Sequence, residues 1–248
     1  MRTAGAVCLL VAVTAAAAAA GFASGQPVLL PILCLLPAWP LMMLELAAGH
    51  RARAVGAMLV WSAALAATVT ALCLLWPARA AAVVWNGPAY ATQMFHWIAT
   101  GEGLESQPAR FVPRHLVEAG LFVGLSLLTG SLASLLLGVV LLNFMAYYVA
   151  QVGLASGLAP LALAAAWHPW SLIRIASYVV LGVVLAEPLL RKLSGRGPAL
   201  VGARPWVVAA LIGLGADLAL KAALAPRWGL MLRDLTQGGA LPAGAGAW

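Results

Sequence analysis

Residues 116–152 read LVEAGLFVGLSLLTGSLASLLLGVVLLNFMAYYVAQV, an apolar run broken only by Glu118 and a few small, hydroxyl or amide side chains. The run is too long for one ordinary crossing, because a helix covers a hydrocarbon core of about 30 Å with ~20 residues. Thr129-Gly130-Ser131 is the best place to break it, which predicts helices over 115–129 and 131–153. Two spans in immediate succession point to an all-α, polytopic transmembrane helix bundle.

Working outward, residues 54–76 form another apolar segment, preceded by the compact basic turn of His50, Arg51 and Arg53. Before it, residues 27–48 contain Pro31, Pro37, Pro40 and Glu45, so this span is expected to be kinked or partly unwound. Residues 4–23 follow Arg2 and make the first segment. Gly21-Phe22-Ala23 also fits a small-residue signal peptidase site, and cleavage there leaves six spans instead of seven. Downstream, residues 171–190 form a clear span that exits at Arg191, Lys192 and Arg196, with Pro188 expected to end the helix just after Glu187. The last span covers 205–224, and residues 226–248 read as a flexible tail rich in Gly, Ala and Pro.

Composition agrees with this reading. Of 248 residues, 64% are hydrophobic and 8% charged, where a soluble domain carries roughly a quarter charged residues. The net charge of +7 does not imply a nucleic-acid partner, because the basic residues sit in short loops beside apolar segments rather than along one face. Anionic lipid and topology account for them, and the lipid bilayer is the expected partner, with other membrane subunits as further candidates. With the basic turns inside, the chain reads as a bacterial inner-membrane protein, amino terminus inside and carboxyl terminus outside. The long loop 77–114, a linker around His168 and the tail then share the outer face. Within the loop, Met94, Phe95, Trp97 and Ile98 fall in a short amphipathic, interfacial helix.

Polar side chains make three stripes in the later helices. Asn143, Tyr147 and Gln151 are spaced by four; Ser171, Arg174 and Tyr178 stand at i, i+3 and i+7; His115 and Glu118 are three apart. All three stripes fall in the outer third of the membrane, beside His168, His96, Arg110 and Arg114. If they face one another, they enclose one polar pocket, since polar groups in lipid turn to the bundle interior or a watery cavity. Arg174 and Arg114 are the candidates to neutralise an anionic group, and Asn143, Tyr147 and Gln151 to orient it. Glu118 is expected to pair with an arginine such as Arg174 or Arg114. No cofactor is predicted; His115, Glu118, His168 and His96 are weak metal or haem candidates, because no HExxH pattern or diagnostic histidine spacing occurs. Asp217 and Lys221, four apart, read as a structural ion pair.

Gly120 and Gly124 give a GxxxG spacing that suits close helix packing. Cys8, Cys34 and Cys73 fall in three different apolar segments and read as small core residues. No P-loop, dinucleotide fingerprint or serine elbow occurs, so any energy comes from a gradient or a partner. The function expected is therefore a transporter-like or membrane-complex subunit that binds a small or amphiphilic ligand, anionic ones included, in an outward-facing pocket. A membrane-embedded enzyme or redox subunit using His115, Glu118 and His168, and a purely structural subunit, are the alternatives.

Overall fold

A computed structural model describes residues 4–195 and 202–236. Among these residues the chain forms eleven helices and no strand. In chain order they are α1 (Ala4–Ser24), α2 (Leu29–Leu35), α3 (Ala38–Ala47), α4 (Arg51–Leu75), α5 (Pro77–Val83), α6 (Gly87–Thr100), α7 (Pro108–Thr129), α8 (Leu132–Ala155), α9 (Pro160–Ala166), α10 (Pro169–Leu193) and α11 (Arg204–Leu235). Among the described residues, seven stretches are long and apolar enough to cross a membrane, with α2 and α3 counting together as one. The protein is an all-α, multi-pass membrane bundle.

The break expected in the long apolar run is where the chain turns. Gly130 and Ser131 adopt left-handed backbone angles (φ 57° and 65°), which separates α7 from α8. The turn is pinned on several sides. Ser131 Oγ donates to the Gly182 carbonyl at 2.6 Å, Ser126 Oγ donates to Ser134 Oγ at 2.7 Å, and Trp39 Nε1 donates to the Gly130 carbonyl at 3.0 Å. The proline-rich second span is interrupted between α2 and α3. Trp61 Nε1 of α4 donates to the Cys34 carbonyl beside this break at 3.1 Å, a neighbouring helix supplying a partner to backbone at a proline interruption.

The bundle has two ends. At one, Arg51 grips Glu187 with hydrogen bonds of 2.6 and 2.7 Å, and Glu45 lies between His50 and Arg53. At the other, Arg79 donates to the carbonyls of Phe22 and Ala23, and the long connection between α4 and α7 folds over the helices. The short interfacial helix is α6. Its Met94, Phe95, Trp97 and Ile98 are all buried, so the apolar face expected there is turned onto the bundle, against α8 and α11.

Several boundaries differ from the sequence reading. α10 runs through Pro188 to Leu193 instead of stopping after Glu187, and α7 starts at Pro108, seven residues before His115. The last helix does not end near 224. It continues through Pro226 to Leu235 because Trp228 Nε1 donates to the Ala165 carbonyl and Arg233 Nε to the Ile98 carbonyl, docking the extra turns on α9 and α6. Pro226 and its i−4 position, Ala222, are exposed, so the lost backbone bond lies on the outer side of the helix. Arg196 and the tail beyond residue 236 lie outside the described residues. Cys34 and Cys73 are buried, but Cys8 is exposed on the outer side of α1 and is not a core residue.

The GxxxG face of α7 is unused within the chain: a Cβ added at Gly120 or Gly124 meets nothing. The close approaches are elsewhere. A Cβ at Gly21 falls 2.9 Å from the Leu30 backbone, and one at Gly213 collides with Ser177 where α10 crosses α11.

Candidate functional site

A cavity of about 160 Å³ lies between α6, α7, α8, α10 and α11, with Trp61 and Ser62 of α4 reaching its wall. Its lining follows the helices lengthwise. On α7 it runs from Phe111 to Phe122, and on α8 from Leu135 to Met145. At about 1.5 Å per residue this makes a slot roughly 15 Å long. The antiparallel alternation of spans sets its polarity. Glu105 from the loop, Arg114, His115 and Glu118 near the start of α7, and Ser171 and Arg174 near the start of α10 line the end under the long loop. Phe122, Leu135, Gly138, Leu142 and Val179 line the rest.

Three ion pairs occupy the polar end. Arg174 Nε and Nη2 donate to the two oxygens of Asp217 at 2.9 and 3.0 Å. Lys221 Nζ donates to Glu105 Oε1 at 2.9 Å and stands 4.6 Å from the centre of the Phe111 ring, a cation–π contact. Arg114 Nε donates to Glu118 Oε1 at 3.0 Å across one turn of α7, the only one of the three that is well exposed. The expected Asp217–Lys221 pair does not form. Although i, i+4 spacing puts both on one face of α11, each has a closer partner from another element, so the local pair is exchanged for two tertiary ones. Sequence spacing reports only same-helix neighbours, and Glu105, in a loop, carried no periodicity to connect it to Lys221.

His115 completes the cluster. Its Nδ1 lies 2.7 Å from the Phe111 carbonyl, so Nδ1–H is the donor there. Nε2 is then a bare acceptor, buried without a hydrogen-bond partner, 4.0 Å from Asp217 Oδ2. Trp97 Nε1, on another lining residue, is likewise buried and unpartnered. Tyr90 lines the cavity with its hydroxyl 3.5 Å from Met145 Sδ, and its ring packs on Phe144 and Tyr148. Burial, reinforced by Glu105, raises the Tyr90 phenol above its usual value, while Arg174 and Arg114 oppose the shift.

Of the residues singled out from the sequence, the cavity gathers Arg114, His115, Glu118, Ser171, Arg174 and Tyr178. It does not gather the first stripe. Leu141 and Met145 face the slot, and Asn143, about 200° further round the helix than Leu141, is turned away from it. Asn143 instead sits beside Leu30, Pro31 and Trp85, with the Cys34 thiol as a hydrogen-bond neighbour. Tyr147, one turn on, packs so closely on Gly87 that a Cβ there would lie 3.0 Å from its ring. Gln151, a further turn on, is also buried. Arg174, expected to neutralise a ligand, is already neutralised by Asp217.

His168 stands apart from the slot in an aromatic cluster. It stacks on Trp170 at 4.7 Å between centroids, meets Trp97 edge-on, and shares a 3.3 Å hydrogen bond between its Nε2 and the Tyr148 hydroxyl. Burial pushes its imidazole down to about 4; Glu105 counters this, and Lys221 and Arg174 reinforce it. The Glu105 carboxyl is raised by burial, but Lys221, His168 and Arg174 outweigh that and hold it below the usual range. His96 is exposed on α6. Among the described residues no group of three or more His, Cys, Asp or Glu side chains is arranged to hold a metal ion, so His115, Glu118, His168 and His96 are not brought together. Sequence reasoning missed Glu105, Phe111, Tyr90, Trp97 and Gly138; an intramembrane lysine in need of an acid was the one usable signal, and it pointed to the wrong acid.

Against protein-family models, curated proteins and solved structures, the chain matches none.

Proposed function

We propose that this multi-pass membrane protein binds a small amphiphile in the slot between α6, α7, α8, α10 and α11, as a transporter-like or membrane-complex subunit. One observation carries the reading: the slot is polar at one end and apolar along the rest, over roughly the depth of several helical turns. Sites for small molecules are concave and mostly apolar, with a few convergent polar groups that fix orientation. An elongated, one-ended cavity fits a ligand with a chain and a headgroup better than a compact polar solute. The basic residues at the opposite end, Arg51, Arg53, Arg191 and Lys192, support an orientation in which that end faces the cytoplasm across a bacterial inner membrane and the polar mouth faces outward.

Gly138 supplies the test. It lines the slot, and a Cβ added to it meets no atom within 4 Å, so the side chain of Gly138→Leu starts in open space at the slot wall. Native mass spectrometry of protein released from lipid nanodiscs reads the amphiphile that stays bound. The variant is expected to lose that adduct while its unfolding temperature holds. Equal retention by Gly138→Leu overturns the reading, and a stoichiometric protein partner that stays bound to both proteins favours the structural-subunit alternative instead.

A further inference from the structure

The charges that line the slot are balanced within the chain. We infer that the slot takes a net-neutral amphiphile and rejects an anionic one, and that Asp217 and Glu105 are the residues that set this preference. The inference rests on the amphiphile-binding reading and adds the chemical class of the headgroup.

The balance is visible pair by pair. The Asp217 side chain is 2% exposed and that of Lys221 1%, so neither charge is discharged by water. Arg174 turns two of its donors onto Asp217 in the parallel, bidentate arrangement that is the strongest a guanidinium makes with a carboxylate. Lys221 has Glu105 in front of it and the Phe111 ring beside it. An anionic headgroup entering between these groups gains no free cation. It must displace a carboxylate that is covalently part of the fold, and it leaves that carboxylate buried and unpaired. A neutral headgroup asks for no such exchange. The polar valence left open beside the paired charges is also neutral, an acceptor at His115 Nε2, which suits a hydroxyl-bearing headgroup. Arg114 is the most exposed of the cations lining the slot, and Glu118 faces it at 3.0 Å on the rim.

This makes the acids specificity determinants of an unusual kind: removing one should create anion binding. Asp217→Asn keeps the side-chain shape and strips the carboxylate from Arg174, and Glu105→Gln does the same for Lys221 from a loop outside the spans. In either variant an uncancelled, buried cation faces the slot.

The experiment uses the full chain in phosphatidylcholine nanodiscs, offered equimolar monolauroylglycerol and dodecyl phosphate, whose chains match and whose headgroups differ in charge. Bound adducts are counted by native mass spectrometry. The unaltered protein is expected to favour monolauroylglycerol by about tenfold or more, because burying an uncompensated charge is costly. Glu105→Gln and Asp217→Asn are each expected to reverse the preference, and Arg174→Gln combined with Asp217→Asn to restore it. If Asp217→Asn does not fold, Glu105→Gln carries the test alone. A preference of the unaltered protein for dodecyl phosphate, or an unchanged preference in the folded acid variants, overturns the inference while the binding reading stands. Binding of neither amphiphile, or binding insensitive to Gly138→Leu, overturns the binding reading itself.

Discussion

Arg174 on α10 and Asp217 on α11 meet through two parallel hydrogen bonds, 2.9 and 3.0 Å long, and no other bidentate pair joins these two helices among the described residues. Breaking a buried pair by removing one partner costs about 3–5 kcal/mol, whereas replacing both with apolar groups is often neutral. Arg174→Met should therefore cost several kcal/mol, and Arg174→Met combined with Asp217→Leu should recover most of it. Reversible unfolding in mixed micelles measures both. A single variant that loses under about 1 kcal/mol would mean that water already reaches the pair.

Glu105 ties the loop between α6 and α7 to Lys221 and is its only acidic partner among the described residues. Two glycines with positive φ, Gly101 (76°) and Gly103 (147°), shape the chain just before it, and at Gly103 a Cβ would press on Trp97. Glu105→Gln should leave the spans folded and speed amide exchange across residues 101–107. Hydrogen–deuterium exchange reads this directly, and unchanged protection of the loop would assign its order to Trp97 packing instead.

How much of this was legible in the sequence divides along a physical line. Periodicity and length located the spans because a membrane admits few backbone solutions; span length demanded a turn, and Thr129-Gly130-Ser131 marked its place. The same periodicity put Ser171, Arg174 and Tyr178 on one face, and the cavity gathers all three. What periodicity cannot supply is the angle at which a face points. Asn143, Tyr147 and Gln151 form a true stripe on α8 that looks away from the cavity. Partner choice was equally hidden, since Asp217 and Lys221 are neighbours on α11 yet each bonds to a group remote in sequence.

Glycine substitutions should separate used from unused helix faces. Gly120→Ala meets no atom and removes a flexible residue from a helix, worth roughly 0.5–1 kcal/mol of added stability. Gly21→Ala, by contrast, drives a methyl to 2.9 Å from the Leu30 Cα, which must move the α1–α2 hairpin apart. Thermal unfolding of the two variants should shift in opposite directions. Destabilisation by Gly120→Ala would show that this face packs against a second chain.

His168 predicts the pH dependence. Its ring is 1% exposed, and its pKa falls from 6.5 to about 4 because burial disfavours the imidazolium, with Glu105 opposing the shift and Lys221 and Arg174 adding to it. The unfolded chain therefore takes up a proton at this residue near pH 6.5, and the folded chain only near pH 4. Between those values the unfolded state binds more protons, so stability is lost as the pH falls from 6.5 and the loss is complete at about 4. The full effect is roughly 3 kcal/mol, at 1.36 kcal/mol per pKa unit. Glu105, held below the usual carboxylate range, adds its own loss only at still lower pH, and comparison with a His168 variant between pH 6.5 and about 4.5 separates the share of His168 from that of the other histidines. His168→Gln keeps a hydrogen-bonding group near Tyr148 and cannot be protonated. Its unfolding temperature should fall less steeply through that interval than that of the unaltered protein, and parallel slopes would show that His168 gains a proton in the folded bundle as readily as in the open chain.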